Sequence, residues 1–221
     1  MKIKDLGGYG FDLRGAALVA LPSGALWWPD QALLVVSDLH LGKSERMARL
    51  GGTSLPPYEA LDTLERLERD LSATGAAHVI CLGDSFDDAA AIAGLPGQIV
   101  DWLMRLQAGR RWTWIEGNHD PGPVALGGQH RAELVLGPLV FRHIAEDGGV
   151  GEVSGHYHPK ARIAGRSCRC FLVDQARLIL PAFGTYTGGL WCHDAALSGM
   201  MGARALAILT GRVARAIPMP R

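Results

Sequence analysis

Five short blocks carry side chains that ligate metal ions or move protons: Ser37-Asp38-Leu39-His40, Gly83-Asp84-Ser85-Phe86-Asp87-Asp88, Gly117-Asn118-His119-Asp120, Arg142-His143 and Gly155-His156-Tyr157-His158. Each stands at or just after an apolar or β-forming run. Asp38 and His40 are two residues apart, which suits a turn leaving a strand, where side chains at that spacing point the same way. A carboxylate and an imidazole together suit a borderline divalent ion such as Mn, Fe or Zn. Asp84 adds a carboxylate whose two oxygens can bridge two cations about 3.5–4 Å apart, the spacing of two-metal hydrolases. The glycine before it lets the backbone turn closely under the ions. Asn118 offers a neutral amide oxygen. His119 need not ligate anything: it can face a substrate, give a proton to a leaving oxygen or stabilise developing charge. His156 and His158 put two imidazoles on one turn, matched to two ions.

Each block alone has a plainer explanation. Asp84 fits a helix N-cap equally well, and a histidine that follows a strand, as His143 does, is usually just a satisfied polar residue. Five blocks in this order describe a binuclear centre, and such centres most often serve phosphate-ester chemistry. A symmetric scheme follows. One ion takes Asp38, His40, Asp84 and His158; the other takes Asp84, Asn118, His143 and His156. Water beside such ions loses several pKa units, so hydroxide is available at neutral pH.

The elements that must position these blocks are legible in the apolar pattern. Residues 11–28 read as a β-hairpin turning at Pro22-Ser23-Gly24. Ala32 to Val36 is a continuous apolar run, suited to a strand covered on both faces. Residues 57–71 read as a helix, with Leu61, Leu64, Leu67 and Leu71 at helical spacing. His78 to Leu82 is a strand, 97–107 a helix and Trp112 to Glu116 a strand. Strands alternating with helices imply parallel pairing and an α/β fold, in which ligands gather beyond the carboxyl ends of the strands. The later half is β-rich, with strand-like runs at 139–142, 152–154, 170–173, 177–180, 203–209 and 213–217. Residues 121–130 read as a loop beside the site. The ligand blocks spread from Asp38 to His158, so the segments bearing them must fold together, and residues 1–221 are expected to form one domain.

Lys plus Arg and Asp plus Glu balance at 22 each, so no global field draws the chain to nucleic acid. Local basic groups would have to hold such a substrate. Two patches flank the ligand blocks: Lys43, Arg46 and Arg49, and Lys160, Arg162, Arg166 and Arg169. Lys43 and Lys160 are the candidate substrate-binding residues. The N-terminal residues lack the apolar core of a signal peptide, and no apolar stretch approaches the roughly 20 residues that span a bilayer. The expectation is a cytoplasmic protein with no membrane partner. Cys81, Cys168, Cys170 and Cys192 are too few and too irregular for a disulfide framework.

In family order, D-x-H, G-D-x-x-D, G-N-H-D, a lone His and G-H-x-H resemble the calcineurin-like metallophosphoesterase superfamily. The resemblance implies a four-layer αββα sandwich of two central mixed β-sheets flanked by helices. It implies the ligand scheme above, hydroxide attack in line at phosphorus, and His119 assisting the leaving group. In phosphatase branches the last Asp of G-D-x-x-D orients the catalytic histidine; here that residue is Asp87. A narrower resemblance covers most of the chain. Ser37 to Lys43, Leu55 to Tyr58, Cys81 to Phe86, Gly117 to Pro121, Ser154 to Pro159 and Pro181 to Leu190 are similar to the bacterial ligase-associated DNA damage response endonucleases (PdeM). That family commonly has His-Asp where Asp87-Asp88 stand here, which leaves the partner of His119 open.

This resemblance implies a phosphodiesterase or endonuclease acting on DNA in repair, with two divalent ions, most often Mn, and a DNA ligase or helicase as partner. The balanced charge suits a short or single-stranded DNA substrate better than a large duplex footprint. A small-molecule phosphoesterase for cyclic nucleotides or nucleotide diphosphates is the second enzyme reading. A non-catalytic scaffold is the third, disfavoured because every ligand position is filled.

Overall fold

A computed structural model describes residues 6–51, 55–56, 58–122 and 125–221 and resolves the apolar runs into two β-sheets. The first sheet opens with three antiparallel strands, β1 (Tyr9–Leu13), β2 (Ala16–Ala20) and β3 (Leu26–Trp28). The single hairpin expected over 11–28 is therefore a meander. The additional reversal is at Arg14-Gly15, where both residues have positive φ (56° and 87°) and Asp12 Oδ1 accepts the Gly15 amide at 2.9 Å. Next come β4 (Leu33–Val36), β5 (His78–Leu82), β6 (Arg111–Ile115) and β7 (Gln129–Arg131), each parallel to its predecessor from β5 on. β7 takes up the end of the loop expected at 121–130, of which residues 123 and 124 lie outside the described set.

Helices supply the crossovers. α1 (Lys43–Arg49) and α2 (Glu59–Thr74) lie between β4 and β5; α3 (Ala89–Gly94) and α4 (Gly97–Gln107) lie between β5 and β6. α2 buries Leu64, Leu67 and Leu71 and stops at Gly75, whose φ of 66° suits glycine at a helix end. It runs three residues past the expected end at 71, and Pro57 lies outside the described set. No helix among the described residues is long and apolar enough to cross a membrane.

The second sheet contains β8 (Glu133–Leu136), β9 (Leu139–Arg142), β10 (Glu152–Ser154), β11 (Lys160–Ile163), β12 (Arg166–Val173), β13 (Arg177–Ile179), β14 (Leu206–Leu209) and β15 (Arg215–Pro218). Their order is β15-β14-β12-β13-β10-β9-β8, with β11 paired to β12. The central trio β9, β10 and β13 is parallel. α5 (Ala195–Met200) covers the outer face.

Side-chain alternation shows the layers. On β4, Leu34 and Val36 pack with α2 and α4, while Leu33 and Val35 face the second sheet. On β12, Phe171 and Val173 complete the core between the sheets, and Cys170 and Leu172 pack outward with Leu197 of α5. Helices, sheet, sheet, helix: this is the αββα order. Burying each such Leu, Val or Phe contributes about 1.5–3 kcal/mol, so the double-sided strands carry much of the apolar stabilisation of the fold.

One polar pair lies on the inter-sheet side of the first sheet. His78, 5% exposed, shares a hydrogen bond with the Thr113 hydroxyl at 3.0 Å. Burial, with a smaller effect of Arg111, lowers its pKa from 6.5 to about 4. The folded imidazole thus stays neutral where the unfolded one takes a proton. Above pH 6.5 it contributes no pH dependence; between 6.5 and 4 the unfolded state gains protons and stability falls, by up to about 3 kcal/mol. Chelator-treated protein should lose denaturant resistance over that window, and His78→Gln should flatten the profile.

Candidate metal centre

Every candidate ligand lies just past the carboxyl end of a strand that is parallel to a neighbour. β4 delivers Asp38 and His40, β5 delivers Asp84, and β6 delivers Asn118; β9 delivers His143, and β10 delivers His156 and His158. The two sheets thus supply facing halves of one site. The turns are laced together by their own backbone. The Asp38 amide donates to the Gly83 carbonyl at 3.2 Å, the His40 amide to the Asp84 carbonyl at 2.9 Å, and the Gly155 amide to the His143 carbonyl at 2.9 Å. The His156 amide donates to Asp38 Oδ2 at 3.0 Å, joining the sheets directly.

Five of these residues have left-handed backbone: Asp38 (φ 54°), His40 (47°), Asp84 (47°), His156 (69°) and His158 (47°). Non-glycine residues rarely adopt it, at a cost of roughly 1–3 kcal/mol each. Here it turns successive side chains inward from one tight turn. Two adjoining glycines permit the close approach. A Cβ on Gly83 would collide with the His143 ring, and one on Gly155 with the Ser37 hydroxyl and the Asp38 carboxylate.

The side chains form two groups, Asp38 with His40 and His158, and Asp84 with His143 and His156, each with its potential ligand atoms within 4.8 Å of one another. Asp84 Oδ2 lies between them, 4.0 Å from His40 Nε2 and 3.3 Å from His143 Nε2. Its other oxygen, Oδ1, accepts the His119 amide at 2.9 Å. A single oxygen, Oδ2, thus faces both groups while the second is engaged by backbone. Asn118 joins the second group, with Oδ1 3.0 Å from His143 Nε2.

Electron-pair donors thus crowd toward common points. His143 donates from Nδ1 to the Leu82 carbonyl at 2.8 Å, which turns Nε2 toward Asp84 Oδ2, Asn118 Oδ1 and, at 3.2 Å, His156 Nδ1. His40 is fixed likewise through Nδ1 by Asp87 Oδ1 at 2.9 Å, leaving Nε2 buried without a hydrogen-bond partner, while His158 Nε2 lies 3.0 Å from Asp38 Oδ1. Buried, inward-facing nitrogens without donors, beside three acceptors at one point, fit divalent cations. The electrostatics agree. Burial opposes ionisation of Asp84, but the adjacent His143 ring, with Nε2 3.3 Å from Oδ2, prevails and holds its pKa at about 2. Asp38 is likewise below the usual range, with burial outweighed by His158 and His143. Burial lowers His143, yet Asp84 and Asp38 lift it above the ordinary imidazole value, so the centre favours positive charge.

His119 stands apart from both groups. Its Nδ1 donates to the main-chain carbonyl of Asp87 at 2.8 Å, and its ring centroid is 5.3 Å from that of His40. The sequence left the partner of His119 open; it is the Asp87 main chain, not the Asp87 carboxylate. That carboxylate turns instead to His40, Arg46 Nη1 at 3.0 Å and Lys43 Nζ at 3.6 Å. These partners, against the effect of burial, hold it below the usual carboxylate range. The charge of Lys43 is thereby engaged by Asp87, whereas Lys160 has no carboxylate partner among the described residues and lies over the Trp191 ring.

Two supporting features escaped the motif reading. Asp120, buried, accepts backbone amides from Asp84 (2.9 Å), Ser85 (2.8 Å), Phe86 (3.3 Å) and Gly117 (3.1 Å), clamping the two sheet-one turns. Its place in Gly-Asn-His-Asp was visible, its task was not. The segment Pro181 to Leu190 carries none of the candidate ligands, yet it braces their turns. The Phe183 and Gly184 amides donate to the Ser37 and Asp38 carbonyls at 2.8 and 3.0 Å, and the Leu190 amide donates to the Tyr157 carbonyl at 3.1 Å.

Comparison with known proteins agrees with this geometry. The calcineurin-like phosphoesterase family model matches residues 32–189, from β4 past the last candidate ligand. Among solved structures, the crystal structure of Pseudomonas putida nuclease MPE is similar at 30% identity and a TM-score of 0.73, over 95% of this chain and 100% of that one. No curated protein sequence matches the chain. With the donor set gathered at the strand ends and the family match spanning it, the chain belongs to the calcineurin-like phosphoesterases, metal-dependent hydrolases that use divalent ions in a binuclear centre.

Proposed function

We propose that the chain is a phosphodiesterase that cleaves DNA, acting as one catalytic domain in a repair process in the cytoplasm. The observation that carries the hydrolytic reading is Asp84 Oδ2, placed between two groups of inward-turned donors. Asp38, His40, Asp84 and His158 would hold one ion, and Asp84, Asn118, His143 and His156 the other. When bound, divalent ions polarise a phosphoryl oxygen and lower the pKa of coordinated water. The carboxylate, amide and imidazole donors, with no thiolate among them, favour Mn, and suit Fe or Zn.

The chain's own residues supply the rest. Because Nδ1 of His119 is occupied by the Asp87 carbonyl, Nε2 is the nitrogen left to give a proton to the leaving oxygen or to stabilise its charge. Asp87 acts one step back: its carboxylate fixes the His40 tautomer and ring orientation, so the positioning task implied by the family pattern is divided between carbonyl and carboxylate. Lys160, with its charge uncompensated, is better placed than Lys43 to meet a phosphate.

DNA as substrate draws support from the named activity of the Pseudomonas putida neighbour and from the motif resemblance. A DNA ligase or helicase partner rests on the resemblance alone. The test is a substrate panel: single-stranded DNA, duplex DNA, RNA, cyclic nucleotides and monoesters, each with added Mn and with chelator. Mn-dependent cleavage of DNA is expected. Turnover of cyclic nucleotides or monoesters with DNA untouched would replace this reading with the small-molecule one, and two bound ions without turnover of any ester would leave a scaffold.

A further inference from the structure

We propose that Trp191, with Lys160 and Arg162, is a nucleotide subsite beside the metal centre that stacks an unpaired base and holds its flanking phosphates. The inference rests on the nucleic-acid reading above and names how that substrate is gripped.

The starting point is charge without compensation. Lys160 Nζ lies 4.5 Å from the Trp191 ring centroid and the Arg162 guanidinium carbon 4.9 Å from it. Neither cation has an ion pair with a carboxylate among the described residues, whereas in the other basic flank Lys43, Arg46 and Arg49 are all paired with Asp87, Asp88 or Glu45. Two like charges converging on one indole repel each other. An anion between or beside them removes that repulsion.

The backbone shows that the arrangement is built. Lys160 and Arg162 are i and i+2 on β11, so they share a face. Trp191 is bridged to Lys160 in parallel register: the Lys160 amide donates to the Leu190 carbonyl and the Cys192 amide to the Lys160 carbonyl, both at 2.9 Å. The His193 ring is parallel to the indole, 6.4 Å between centroids and 4° between planes. The metal centre adjoins. His158 is two residues before Lys160, at most about 7 Å along the chain, and a Cβ on Gly189 would collide with the His158 carbonyl. The indole, with two cations over it that pair with no carboxylate among the described residues, combines the aromatic platform and positive charge by which single strands are bound without base readout.

The test uses the full chain. Binding of fluorescein-labelled oligothymidylate and oligouridylate is read by anisotropy in chelator, and cleavage is read with Mn. Trp191→Ala should weaken single-strand binding roughly 5- to 100-fold, Trp191→Phe should recover most of it, and duplex binding should change less. Loss with one oligomer alone would identify DNA or RNA as the occupant. The double variant Lys160→Gln, Arg162→Gln should flatten the plot of log Kd against log salt by about 1.4, from two phosphate contacts, a readout independent of how Trp191→Ala folds. Unchanged single-strand affinity in Trp191→Ala, equal losses on duplex and single strand, or an unchanged salt slope would each overturn the subsite while leaving the nuclease reading intact. A parent protein that hydrolyses bis(p-nitrophenyl) phosphate yet neither binds nor cuts any oligonucleotide would overturn both.

Discussion

Asp84→Asn is expected to abolish phosphodiester hydrolysis and to strip at least one metal ion. The amide can still accept the His119 N–H through Oδ1, so the turn survives. What it loses is the anionic Oδ2 that faces both donor groups, 4.0 Å from His40 and 3.3 Å from His143. A shared Lewis-acid centre is worth several kcal/mol in the transition state, so kcat/KM should fall about a thousandfold or more. Metal content by atomic emission and turnover of a chromogenic diester check it together. Normal turnover with full metal content would remove Asp84 from the bridging position.

His119→Ala should behave differently. The ring lies outside both groups and donates to a carbonyl, so the variant should keep its full metal content while diester cleavage slows by roughly 10²–10⁴. The loss should depend on the leaving group. A nitrophenolate departs without a proton, whereas a deoxyribose oxygen needs one, so cleavage of DNA should suffer more than that of bis(p-nitrophenyl) phosphate. Equal losses on both would point to charge stabilisation rather than proton donation, and loss of metal would make His119 a ligand.

The strands that carry the candidate ligands in the first sheet were legible because β4 is an unbroken apolar run and β5 and β6 are largely apolar or β-forming, buried almost throughout, and each leads into a polar block. The short helices were not. α1 (Lys-Ser-Glu-Arg-Met-Ala-Arg) has no buried residue, and α5 buries only Leu197, so neither carries an apolar stripe to reveal it. β7 is Gln-His-Arg, a strand held by pairing with β6 rather than by its own propensity. Within the site, residue types and spacing suggested which side chains gather, but not which oxygen faces where. Asp87 is within reach of both His40 and His119, and only its rotamer and backbone torsions assign its carboxylate to one and its carbonyl to the other. Pro181 to Leu190 act through amides and missing Cβ atoms, which no side-chain chemistry announces.

Five residues with left-handed backbone have a bearing on how this protein could be evolved. Glycine or asparagine relaxes such a position, so a screen that rewards heat resistance alone would return substitutions at Asp38, His40, Asp84, His156 and His158. Where the relief of backbone strain outweighs hydrogen bonds such as those of Asp38 and His40, each would harden the scaffold while disarming the reaction. Directed evolution of a robust variant therefore has to hold these five codons constant and seek its gains in the sheets.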